Sequence, residues 1–189
     1  LSTGLGVIII DGDRYEVKDS WLIGNGGNQV KVNGFTSDAT FFYAATEEGL
    51  KKAAVNTSNP ADYAKWHLVS GSNGLSFGVC KNVLTVSNKI VVQQNDSLFV
   101  LNGNNWSLFY ADGWPIVSSN ATGNRIQLCQ KFPNGNSKVT ILNTDGTVAR
   151  TLTQPTVISF PRKAILVNND PWIADQFGSL SHFFSSSFE

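Results

Sequence analysis

Short apolar runs alternate with turn-forming dipeptides along the whole chain. GVIII, RYEVK, QVKV, ATFFYAA, NVLTVS, KIVVQQ, SLFVL, NWSLFYA, RIQLCQ, KVTIL, TVISF and AILV are of strand length and rich in Val, Ile, Phe, Tyr and Thr. Asn-Gly or Asp-Gly pairs punctuate them at 11–12, 33–34, 73–74, 102–103, 112–113, 134–135 and 145–146. Such pairs tolerate the positive φ that tight type I′ turns require. Asn33-Gly34, Asn102-Gly103 and Asp145-Gly146 are expected as hairpin turns, because the flanking residues alternate. Strand, turn and strand at this spacing predict an antiparallel all-β protein. No helix-length crossover is present to build a parallel sheet.

One helix is expected after Thr46. Thr46 can cap it, Glu47 and Glu48 suit its positive end, Leu50, Ala53 and Ala54 can face inward, and it ends by Asn56. A second short turn is expected at Asp170-Pro171, where Pro suits a first helical position. The stretch 56–63 (NTSNPADY) reads as a long exposed loop. The expected architecture is one β domain over residues 1–189, a sandwich or jelly roll. Residues 178–189 read as a docked terminal strand or a connector.

A second architecture fits a faint repeat. Trp21, Trp66 and Trp106 each open a Trp-x-Ile/Leu pattern, at spacings of 45 and 40 residues. Three such units resemble the β-trefoil, which implies three-fold pseudosymmetry as the alternative to a sandwich. On either fold, Trp21 and Trp66 are expected in the core, since Trp buries much area.

Charge narrows the partners. Lys plus Arg is 14 and Asp plus Glu is 14, and charged residues make up 15% of the chain, against roughly 25% in an average soluble domain. A neutral chain has no global field to draw in nucleic acid, and no apolar run reaches the roughly 18 residues of a membrane span. Asn (19), Ser (19) and Thr (13) take the place of charge. Four N-x-S/T sequons, at Asn56, Asn95, Asn105 and Asn120, permit a secreted glycoprotein. Cys80 and Cys129 both lie in strand-like runs, so a Cys80–Cys129 disulfide in an oxidising compartment is expected, with two buried free thiols as the alternative. The chain begins at Leu1 and has no Met, which reads as a processed product or an excised piece of a longer precursor.

Catalytic constellations are not legible. The two histidines, His67 and His182, accompany no G-x-S-x-G elbow. Asp11 and Asp13 flank a tight turn without the rest of a calcium loop, and no C-x-x-C spacing offers a zinc site. The Gly-rich GNGGN at 24–28 lacks the Lys and helix of a phosphate loop. No cofactor and no metal are expected, and the chain is read as not an enzyme.

Binding by aromatics beside polar neighbours fits better. In NNWSLFYADGWPIV, Trp114 follows the Asp112-Gly113 turn, with Tyr110, Asp112 and Asn105 nearby. A flat ring stacks on a sugar, while amides and carboxylates bond its hydroxyls. The composition resembles that of spike domains, adhesin modules and fungal cell-wall proteins. It implies a non-enzymatic recognition module on a virion, on a cell or outside it, binding a glycan or protein receptor through its loops. A homo-oligomer is compatible with that reading. The alternative is a structural domain of a secreted cell-wall or capsid protein, with a glycan-active hydrolase a distant third.

Overall fold

The computed structural model describes residues 1–153 and 160–183. The chain divides into two compact units, one of residues 1–95 with 99–107, the other of 96–98 with 108–189. The first unit opens on a two-stranded hairpin, β1 (Val7–Asp11) and β2 (Glu16–Trp21). A four-stranded meander follows: β3 (Val32–Ser37), β4 (Phe41–Thr46), β5 (Gly49–Ala54) and β6 (His67–Leu68). The next is β7 (Cys80–Val86), β8 (Lys89–Gln94), β9 (Ser97–Asn102) and β10 (Asn105–Tyr110). The second unit holds the meander β11 (Ile116–Thr122), β12 (Arg125–Lys131), β13 (Ser137–Leu142) and β14 (Val148–Leu152). It also holds the three-stranded β15 (Pro161–Val167), β16 (Asp170–Asp175) and β17 (Leu180–His182).

The all-β expectation therefore holds, but the sandwich and the trefoil do not describe it. In each sheet the strands follow chain order, and successive small up-and-down sheets of four strands are the unit from which β-propellers are built. A sandwich would instead gather its strands into two sheets.

Small sheets stacked face to face bury both faces of their middle strands. Tyr43 and Ala45 of β4 enter one core with Leu50, Leu75, Cys80, Val83, Ile90, Val92 and Trp106. The intervening Ala44 enters another with Val7, Trp21, Ile23, Val32, Ala53 and Trp66. Trp21 and Trp66 are buried as expected, and each indole N–H finds an acceptor, Asp19 Oδ2 at 2.8 Å and the Pro60 carbonyl at 2.9 Å. In the second unit Cys129, Val139, Leu152, Ala164, Ile173 and Phe183 form the core.

The expected helix after Thr46 is a hairpin. Thr46 pairs with Gly49 and Ala45 with Leu50, so Glu47-Glu48 is a two-residue turn and β5 begins at once. Lys51 is buried there, donating to the Ile23 carbonyl at 2.7 Å and pairing with Glu48 at 2.5 Å. Two helical turns could not supply those contacts, and pairing overrides the local propensity. Asp170-Pro171 likewise opens β16, after a tight turn at Asn168-Asn169 with φ of 53° and 69°.

Asn102-Gly103 and Asp145-Gly146 lie at turns between paired strands, whereas Asn33-Gly34 lies inside β3 at an irregularity in its pairing with β4. A Cβ on Gly34 would stand 2.2 Å from Asn82 Oδ1 and 2.9 Å from the Val83 nitrogen, so this glycine lets β3 approach β7. Residues 56–63 form the expected connection without strand. The last strand among the described residues is β17, paired with β16. Four residues of the expected TVISF strand, 156–159, and the last residues, 184–189, lie outside the described residues.

Candidate functional site

The segment expected to carry recognition, Tyr110 to Trp114, is not a hairpin tip. It connects β10 of one sheet to β11 of the next. Asp112 organises it. Its Oδ1 accepts from the Trp114 backbone N–H at 3.0 Å and from Gln130 Nε2 at 2.9 Å. Its Oδ2 accepts from Tyr110 Oη at 2.5 Å and from Lys138 Nζ at 2.6 Å. Thr140 Oγ1 in turn donates to Gln130 Oε1 at 2.7 Å. Burial opposes the Asp112 charge, but the bonds from Lys138, Tyr110, the Trp114 N–H and Gln130 outweigh it and hold the carboxyl below its ordinary value. Burial, with the Asp112 bond and charge, pushes the Tyr110 hydroxyl well above its ordinary value.

The Trp114 ring is half-buried. It meets Phe132 at 4.4 Å between centroids, and the Lys138 ammonium lies 4.4 Å from its centre. Tyr110, Asp112 and Trp114 are thus brought together, but their polar atoms bond one another and β12–β13. Asn105 lies exposed at the start of β10, in the other unit. Gln130, Lys138, Thr140 and Phe132 were not singled out by the sequence. The signal for the first two is register: Gln130 and Lys138 are direct partners across β12 and β13.

The expected disulfide is not formed. Cys80 and Cys129 are free, buried thiols. Each belongs to a different core, in a different unit. Cys80 Sγ lies 3.7 Å from Ser70 Oγ and 3.9 Å from Gln94 Nε2. Burial raises both thiols to about 11, against weaker opposing effects of Ser70 at Cys80 and of Ser118 and Lys163 at Cys129.

Other candidates resolve locally. Asp11 Oδ1 accepts from the N–H groups of Asp13 and Arg14, a turn-closing arrangement. His67 is exposed while Trp66 beside it is buried, and His182 stacks on Trp172 at 4.1 Å. No three His, Cys, Asp or Glu side chains among the described residues are grouped to hold a metal ion, and no helix there is long and apolar enough to cross a membrane.

Large aromatic rings stand on the turns. Tyr15, between β1 and β2, is 89% exposed; Phe77, between β6 and β7, is 77% exposed; Phe177, between β16 and β17, is 70% exposed. The loops that hold them are fixed from within. Tyr15 N–H bonds the Asp11 carbonyl at 2.9 Å, and Phe177 N–H bonds Asp175 Oδ1 at 2.8 Å.

No protein-family model matches the sequence, and no curated protein matches it. Solved structures do match. PorZ, an essential bacterial surface component of the type-IX secretion system of Porphyromonas gingivalis, superposes with a TM-score of 0.72 at 15% identity, over 100% of this chain and 25% of PorZ. A computationally designed protein gives 0.60 at 11% identity, over 88% of this chain and 98% of its own. The extracellular domain of a hybrid two-component system from B. thetaiotaomicron gives 0.51 at 9% identity, over 100% of this chain and 33% of its own. The chain thus spans about a quarter of PorZ and a third of the latter domain. At these identities the likeness is one of fold.

Proposed function

We propose that this chain is a non-enzymatic recognition module of a secreted or surface-displayed protein, holding a glycan or protein receptor through its turns. The observation that carries the reading is the set of mostly exposed aromatic rings at Tyr15, Phe77 and Phe177, each in a connection between successive strands. Exposed aromatic surface on a rigid scaffold is where binding groups concentrate, because little side-chain entropy is lost on contact. Likeness to a bacterial surface component and to an extracellular domain supports the location. Trp114, half-buried with the Lys138 ammonium over its ring, is a further aromatic that the reading includes.

One observation favours the structural reading. All four bonds to Asp112 come from the protein itself, so its carboxylate fastens the 110–114 connection to β12 and β13. The test is binding to arrays of glycans and of cell-surface receptor ectodomains, repeated with Tyr15→Ala/Phe177→Ala and with Trp114→Ala. Loss of a partner at unchanged unfolding temperature supports recognition. Retention of every partner by both variants favours a scaffold.

A further inference from the structure

A cleft of about 250 Å³ lies within the first unit. Its floor is two buried aromatics, Tyr43 of β4 and Trp106 of β10. Around it stand Phe41, Lys52, Leu101 and the two asparagines Asn73 and Asn104. Its size suits one six-membered ring with its substituents, below the 300 Å³ or so at which pockets for drug-sized ligands begin.

The polar groups facing this cleft differ from those at Asp112 in what they already hold. The Lys52 ammonium lies 4.6 Å from the centre of the Phe41 ring and makes no hydrogen bond or ion pair with the described residues. Its positive charge helps to hold the Asp38 carboxyl low, and that carboxylate takes its hydrogen bonds elsewhere. Oδ1 accepts the N–H groups of Thr40 and Phe41 at 2.7 Å each, and Oδ2 accepts the Tyr43 hydroxyl at 3.1 Å. The side-chain amides of Asn73 and Asn104 likewise have no partner among the described residues. A cationic side chain and two asparagines, able to donate, therefore line a concave site with aromatic and aliphatic walls.

The site is also preformed. The Asn73 carbonyl accepts the Trp106 N–H at 2.6 Å, which fixes the 71–75 loop against β10. Gly74 holds φ of +92°, and a Cβ there would stand 2.1 Å from the Trp106 carbonyl oxygen. Only glycine allows that approach. Little ordering entropy is then left for a ligand to overcome.

We infer that this cleft binds a single sugar ring bearing a carboxylate, a uronic-acid residue. Lys52 pairs with the carboxylate, Asn73 and Asn104 bond the ring hydroxyls, and the C–H face of the ring lies along Leu101 and Phe41. The inference deepens the recognition reading but rests on a different surface from the Tyr15 and Phe177 turns.

The test is titration of the whole chain with D-glucuronate and with D-glucose, followed by tryptophan fluorescence and by amide NMR shifts. Glucuronate is expected to bind saturably, with glucose at least tenfold weaker. Lys52→Gln should weaken glucuronate at least tenfold while the chain stays fully folded at the temperature of the titration. Asn104→Ala should weaken both sugars. Tyr15→Ala/Phe177→Ala should leave glucuronate binding unchanged, which separates this site from the turn aromatics. The inference is overturned if glucuronate gives no saturable change, if glucose binds as tightly, or if Lys52→Gln binds glucuronate as the natural chain does.

Discussion

Lys138 and Asp112 meet at 2.6 Å, with side-chain exposures of 12% and 23%, and tie β13 to the connection between β10 and β11. A half-buried pair of this kind depends on both members, because removal of one leaves the other without a partner away from water. Asp112→Asn should therefore lower stability at pH 7 by about 2–3 kcal/mol, measured by urea unfolding. Its pH dependence has a definite sign. The folded carboxyl titrates below its ordinary value, so its contribution is fully present above that value and is lost as pH falls through and below it. Natural protein should lose stability steeply below about pH 4, and Asp112→Asn should lose it less steeply. Residual acid sensitivity in the variant is expected from Asp38, whose carboxyl is also held low by its bonds against the opposing effect of burial.

Both thiols should be free and slow to react. With burial holding them near 11, the thiolate fraction at pH 8 is small. A thiol reagent should label neither cysteine in native protein at neutral pH and two per chain in guanidinium. Mass without reductant should match two free thiols; a mass lower by two hydrogens would contradict two free thiols, each buried in its own core.

Gly34→Ala should disrupt the packing of β3 on β7. The added carbon meets Asn82 and the β7 backbone, which cannot retreat without separating the two sheets. A loss of about 2–3 kcal/mol is expected, read as a lowered urea midpoint with the slope unchanged. Gly135→Ala meets no atom within 4 Å, but its φ is +96°. It should cost about 1 kcal/mol from backbone strain alone.

Trp114→Ala should cost about 1–2 kcal/mol, less than a fully buried Trp. The ring loses Phe132 and the Lys138 ammonium, but part of it faced water already. Phe132→Ala should show coupling with it in a double-mutant cycle, whereas Trp172→Ala should add independently.

The strand class was legible because β-branched and aromatic residues fill runs of strand length between turn dipeptides. The architecture was not, since five small sheets and two large ones share that local pattern. Burial on both faces hid several strands. β5 carries GLKKAA, with Lys51 buried and Ala residues on both sides, so it read as helix. Gln93, Gln94, Gln127 and Gln130 are buried in β8 and β12, where alternation would have turned polar residues outward. At the candidate site Tyr110, Asp112 and Trp114 are neighbours in sequence and could be found together. Their partners Gln130, Lys138 and Thr140 come from β12 and β13, at separations that only register supplies. The disulfide expectation failed for a similar reason: two cysteines in apolar strands carry no signal of which core each enters.

The turn aromatics test the recognition account most directly. The measurement is retention of glycans and cell-surface receptor ectodomains by the natural chain and by Tyr15→Ala/Phe177→Ala, with unfolding temperatures determined alongside. The account predicts that the natural chain retains at least one partner and that the variant, folded to the same temperature, binds it at least tenfold more weakly, about 1.4 kcal/mol. A natural chain that retains none, or a folded variant that retains every partner at full strength, would contradict it.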